Sequence, residues 1–340
     1  MKTVVAFGDY MLRLNPKGYF KFIQAPEWEA NFSGAEGNVC VSLANMGMKT
    51  QLVTRLPDNE LGRCALASLN KFKVGTDYIP FGGDRIGIYF VEKGASQRPS
   101  KVIYDRMHSA VTESKFEDYD WQSVFKNAGH FHITGITPAL GQNLADACLK
   151  ACKLAKEMGI TVSCDLNYRK NLWTTEQAKE TMEKILKYVD VVIANEEDAE
   201  KVLGISAPDS DITAGQLSRE GYISVAKQMA EKYSLKAVAI TLRESITASD
   251  NNWSGLLYKD NTPYFSKKYA IHIVDRVGGG DSFGAGLIYG FMNGFDNQKT
   301  IEYAVAASCL KQTIEWDFNL VTEKEIMTLV NGDASGRVQR

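Results

Sequence analysis

The sequence predicts an α/β protein with a doubly wound, mostly parallel sheet flanked by helices, and with a small β-sheet lid. Three observations predict it. Short apolar runs alternate with amphipathic helical stretches, the rhythm of strands and crossover helices in a parallel sheet. Two strand-like segments, about 12–33 and 86–106, interrupt that rhythm. Near the carboxyl end, Gly278-Gly279-Gly280-Asp281 runs into an apolar stretch reaching Gly290, a tight turn feeding a helix.

The elements follow in order. Thr3 to Gly8 reads as a buried strand, without the basic region and apolar stretch of a signal peptide, and no apolar run approaches the ~20 residues of a membrane span. A cytoplasmic location is the expectation. Gly34 to Gly47 is a glycine-marked turn entering a helix whose Val39, Leu43 and Met46 face the core. Phe131 to Thr134 leads to a helix around Leu144 to Lys156, and Ile160 to Cys164 is the next strand. Val191 to Ala194 precedes a helix over Glu196 to Leu203, and Ala237 to Leu242 follows a helix over Ser218 to Lys232. One domain is expected over 1–330, with the two interruptions as lid excursions and 331–340 as a frayed tail. Lid strands expose edges and apolar area, so a homo-oligomer formed through the lid is expected.

The chain has 340 residues, 44% of them hydrophobic, with 39 Lys+Arg against 41 Asp+Glu. That balance gives no reason to expect nucleic acid or an anionic membrane as partner. The six cysteines are scattered and read as small buried residues, with Cys148 and Cys152 at helical spacing.

A glycine turn at a helix start is an anion site, because its free N–H groups and the positive dipole end face a ligand that glycine lets approach. Asp281 is open to two readings there: a helix cap, or a base that takes a proton from a substrate hydroxyl while the turn holds the transferring phosphoryl group. Neither a Walker A loop nor a dinucleotide fingerprint fits, since no Gly-Lys-Ser/Thr follows and the run is not in the first βα turn.

The segment Asp275 to Asp281 resembles the signature Asp-Thr-x-Gly-Ala-Gly-Asp of the PfkB-type, ribokinase-like carbohydrate kinases, with Arg276 for Thr and Gly279 for Ala. Gly34-Ala35-Glu36-Gly37-Asn38 resembles the family's other signature, and the pair stands in the family's order. The resemblance implies phosphoryl transfer from ATP with magnesium (Mg2+), Asp281 as base, Gly278, Gly279 and Gly280 as anion hole, and Gly34 and Asn38 facing the sugar. Asn195-Glu196-Glu197-Asp198 is similar to the family's Asn-x-x-Glu, which implies that Asp198 reaches the metal through water. Asn167, Asn195, Thr241 and Arg243 would meet the nucleotide, with Arg243 standing where the family usually has Gly.

An arginine fork holds a carboxylate in a way that a neutral sugar does not require. Arg106 and Arg169 therefore suggest an acidic substrate, against their reading as surface charges or a structural ion pair. Tyr89, Tyr104-x-Arg106, Asn167-x-Arg169 and Leu172-Trp173 resemble the 2-dehydro-3-deoxygluconate kinases of the family. Trp316-Asp317-Phe318-Asn319 is similar to their Gly-Asp-Phe-Asn, which implies that Asp317 also reaches substrate. Two rivals share these features: another sugar kinase such as a fructokinase or ribokinase, and a non-catalytic sugar- or nucleotide-binding regulator.

Overall fold

The run Thr3–Phe7 (β1) is apolar on both sides because both of its faces are covered. Val4 enters one core cluster and Val5 another, and each is fully buried. This is a computed structural model, and it describes residues 2–207 and 218–333. The tail expected to fray falls, from 334 onward, outside the described residues.

The remaining strands are Met11–Pro16 (β2), Trp28–Ser33 (β3), Thr50–Val53 (β4), Ile88–Glu92 (β5), Lys101–Asp105 (β6), Ala128–Thr134 (β7), Thr161–Asp165 (β8), Val191–Ala194 (β9), Ala237–Ser245 (β10), Asp250–Lys259 (β11), Thr262–Phe265 (β12) and Tyr269–His272 (β13). A nine-stranded sheet runs β12-β11-β10-β9-β8-β7-β1-β4, with β13 also on β11. From β4 to β10 neighbouring strands are parallel, and β11 to β13 extend the sheet antiparallel.

The order reverses at β1, which lies between β4 and β7. Chains leaving the carboxyl ends of such strands part in opposite directions and open a crevice there. Helices Gln142–Glu157 and Thr175–Ile185 cover one face through residues such as Leu144, Cys148 and Met182. Helices Ala35–Asn45, Gly279–Met292 and Asn297–Lys311 cover the other through Val39, Leu43, Phe283 and Val305. Each such side chain contributes about 1.5–3 kcal/mol when fully buried.

The strands β3-β2-β5-β6 form a separate four-stranded sheet. Its register pairs Arg13 with Tyr89 and Tyr89 with Tyr104, so these three side chains leave the same face. Of the cysteines, Cys64 is exposed, against the expectation that all six are buried; it lies on the surface helix Glu60–Lys71. No helix among the described residues is long and apolar enough to cross a membrane.

Candidate active site

One cavity of about 600 Å3 lies where the carboxyl ends of the large sheet meet the inner face of the small one. Asp281, the turn Gly278–Gly280, Gly34, Asn38, Tyr89, Tyr104, Arg106, Arg169 and Asp317 all line it, as do Asn167, Asn195, Asp198, Thr241 and Arg243. Residues drawn from both ends and the middle of the chain are thus brought together, and several of them also bond one another.

The turn needs its first glycine twice over. Gly278 has φ +83°, and a Cβ on it would stand 2.0 Å from the Asp317 carbonyl oxygen. The Gly279 N–H bonds Arg276 O at 3.2 Å and the Ser282 N–H bonds Gly278 O at 2.9 Å. The N–H groups of Gly280 and Asp281 keep no backbone acceptor among the described residues and stand at the positive end of the helix. A Cβ on Gly279 would come within 3.3 Å of Gln312 Cγ, a local reason for glycine there.

Asp281 is not a cap. Gly278 is the N-cap and makes no side-chain bond, which puts Asp281 in the first turn with its carboxylate turned across to Asn38. Asn38 Nδ2 donates to Asp281 Oδ2 at 2.7 Å, so the amide expected to meet sugar hydroxyls also holds this carboxylate, while its Oδ1 lacks a partner among the described residues. Burial pushes the Asp281 pKa up to about 6 against the opposing pull of Asn38.

Around Arg106 the groups are poised rather than satisfied. Its guanidinium is buried, lies 4.4 Å from the Tyr104 ring centroid, and approaches Asp9 Oδ2 no closer than 3.7 Å. Arg106 Nε and both Asp9 carboxylate oxygens lack a hydrogen-bond partner among the described residues. Burial pushes Asp9 up to about 6, offset in part by Arg106. Arg169 Nη1 donates to the Tyr168 carbonyl at 3.0 Å, with its other nitrogens uncommitted among the described residues. Gly34 stays close to Asp9 because a Cβ would fall 2.0 Å from the Asp9 carbonyl oxygen.

Asp317 and Tyr89, both expected on substrate, are bound into the protein. Asp317 Oδ2 accepts from Arg13 Nη1 at 2.6 Å, and its Oδ1 accepts from the Tyr89 hydroxyl at 2.7 Å. Tyr89 also shares a hydrogen bond with Ser33, and its ring stacks on Tyr104. Arg13 Nη2 meets Asp275 Oδ2 at 2.7 Å, so one arginine joins β2 to the segment leading into the glycine turn. Trp316 takes φ +68°, a region that suits glycine, and its ring lies 5.2 Å from the Arg13 guanidinium.

Asn195 caps the helix Glu196–Leu203, its Oδ1 accepting from the N–H of Glu197 and Asp198 at 2.8 and 2.9 Å. Asp198 answers on the N–H of Asn195 and of Tyr168 at 3.2 and 3.0 Å. Both line the cavity from a capping box. Asn167 takes φ +39°, and Thr241 is buried.

Sequence reasoning missed Asp9, Asp165 and Trp253, which also line the cavity. Asp9 lies just past β1 and Asp165 ends β8, so a search of the strands' carboxyl ends would have found both acids. Burial and the neighbouring Asp198 and Asp281 charges raise the Asp165 pKa well above the carboxylate range.

A family model described as pfkB family carbohydrate kinase matches residues 1–313. A 2-dehydro-3-deoxygalactonokinase from Haloferax volcanii is 30% identical over 334 residues, which is 98% of either chain. The crystal structure of a 2-dehydro-3-deoxygluconokinase from Thermotoga maritima is 52% identical, with a TM-score of 0.94 over 97% of this chain and 98% of its own. A provisionally named ribokinase II from E. coli, solved with ATP and Mg2+, is alike in fold at 21% identity, with a TM-score of 0.80 over 97% of this chain and 99% of its own.

Proposed function

Because the chain belongs to the pfkB family of carbohydrate kinases, we propose that it transfers the γ-phosphoryl group of ATP to the primary hydroxyl of 2-dehydro-3-deoxygluconate. The carrying observation is that Arg106, Arg169 and Asp281 line one cavity, with Arg106 buried and short of partners. A buried guanidinium without its full set of acceptors is costly unless a ligand supplies them, and a carboxylate matches its fork. The name of the Thermotoga maritima relative supports the same substrate.

In this reading Asp281 accepts the hydroxyl proton as the sugar oxygen bonds to the γ-phosphorus. The bond from that phosphorus to the bridging oxygen breaks, and its electron pair leaves with ADP. The N–H groups of Gly280 and Asp281 meet charge on the transferring group. Asn38 keeps the base aimed, and Asp9 receives sugar hydroxyls.

Magnesium would be carried by the nucleotide phosphates and water, and Asp198, which lines the cavity, would hold it through water. Among the described residues, no three His, Cys, Asp or Glu side chains converge as an all-protein metal cage. When bound, the ion neutralises phosphate charge.

The small sheet serves as the lid that excludes water, which could otherwise take the phosphoryl group. Ile103 on β6 is 54% exposed and Ile23, in the turn Phe22–Gln24 between β2 and β3, is 93% exposed, and a homo-oligomer formed through the lid would cover them. Sedimentation at micromolar concentration should show a dimer or larger; a monomer alone would remove this part of the reading.

The test is magnesium-dependent ADP release with 2-dehydro-3-deoxygluconate, fructose and ribose offered side by side. Turnover confined to the keto acid is expected, and turnover with a neutral sugar alone would discard the substrate. Arg106→Ala should raise the keto-acid KM roughly 10- to 100-fold, the loss of one charged hydrogen-bonding group. The galactonate epimer is a second reading, favoured by the name of the Haloferax volcanii relative, and belongs in the same panel.

A further inference from the structure

Two arginines lining the cavity have no step in this mechanism, although Arg243 is expected to meet the nucleotide. Arg243 and Arg276 stand where the family signatures place Gly and Thr, and both line the cavity. Arg243 lies on β10 opposite Trp253 of β11, and Thr241 lies opposite Gly255, so Thr241, Arg243 and Trp253 share a face. Arg276 comes two residues before the glycine turn. With the Asn251 amide oriented to suit its neighbours, its oxygen accepts from Arg276 Nη2 at 3.0 Å, and Asn251 is itself 1% exposed.

Neither arginine forms an ion pair among the described residues, although acids are close in sequence. Asp275 is committed to Arg13. Glu244 leaves the opposite face of β10 and holds Lys268 and Asn252. Burial, and then the Arg243 charge, lower the pKa of Arg276, as expected of a part-buried cation with a second cation beside it.

We infer that Arg243 and Arg276 form a second phosphate clamp, gripping the polyphosphate of the nucleoside triphosphate beside the glycine turn. The inference rests on the nucleotide-dependent reading of the site. A keto acid carries one carboxylate, which a single fork satisfies. A triphosphate carries several charges in a row, and two separated forks fit such a chain. Charge that moves onto the departing diphosphate would be met by two guanidinium groups, that of Arg276 already held by Asn251.

The experiment titrates the ATP analogue AMP-PNP with magnesium, inorganic tripolyphosphate and adenosine by calorimetry, without acceptor sugar. It compares the native chain with Arg276→Thr, Arg243→Gly, Arg243→Gln and the Thr/Gly double variant. AMP-PNP and tripolyphosphate should bind the double variant roughly 10-fold or more weakly, with adenosine unchanged. In steady state the ATP KM should rise while the sugar-acid KM holds. Arg276→Lys should recover only part of the loss, since it restores the charge without the fork. Unchanged tripolyphosphate affinity in the double variant would overturn the clamp, as would a loss falling on the sugar acid instead. A native chain that binds AMP-PNP but turns over no sugar acid would refute the proposed substrate and leave the clamp standing.

Discussion

Asp281→Asn is expected to lower kcat by about 100- to 10,000-fold, the range associated with a positioned general base. The variant should remain folded, because an asparagine oxygen can still accept from Asn38 Nδ2, the partner that holds the carboxylate at 2.7 Å. Burial already disfavours the charged form, so a neutral amide removes a cost and the melting temperature should not fall. The same burial fixes the pH dependence. A base must be ionised to take a proton, and a pKa raised from 3.8 to about 6 moves the acid limb of kcat/KM up with it. Activity should be level above that limb and fall tenfold per pH unit below it. Asp9 is also pushed up to about 6, so the limb is assigned with Asp9→Asn, in which it must persist. A limb near pH 4, or an Asp281→Asn enzyme with native kcat, would remove Asp281 from this role.

The parts of this site that were legible in sequence are those fixed by local rules. The run Val4-Val5-Ala6-Phe7 declares a strand covered on both faces, and three glycines before an apolar helix declare a turn with a positive φ. Asp281 as a cap was a fair local reading, since acids favour helix starts. It failed because the left-handed Gly278 itself ends the turn, moving Asp281 beyond the cap position. Asn38 was legible as a residue of the site, but its bond to Asp281 was not, because that partner lies 243 positions away. Asp317 and Tyr89 show the same limit. Their chemistry suits a sugar, but Asp317 is also held by the buried Arg13 and Tyr89 by Asp317, and nothing local to any of the three announces it. The departures Trp316 and Gly279 become intelligible only when Arg13 and Gln312 are seen beside them.

Arg13→Met is the substitution expected to cost the most stability. The guanidinium bridges Asp275 and Asp317 at 2.7 and 2.6 Å, with all three side chains at most 2% exposed. Methionine matches much of the volume but leaves two carboxylates facing each other out of water. Removing one partner of a buried ion pair costs about 3–5 kcal/mol. For a chain of this size that is a fall in melting temperature on the order of 10 °C. Lysine should recover only part of it, because one ammonium cannot span both acids as a fork does. The loss should also reach catalysis. Asp275 Oδ1 accepts from the Val277 N–H at 3.0 Å, and the Asp317 carbonyl packs where a Gly278 Cβ would be, so the two acids that Arg13 gathers shape the glycine turn. Arg13 itself belongs to the small sheet, in register with Tyr89. Far below its melting temperature, Arg13→Met should therefore show a lower kcat with a nearly native ATP KM. A variant that melts early but keeps its native kcat at low temperature would make Arg13 a stabilising residue and nothing more.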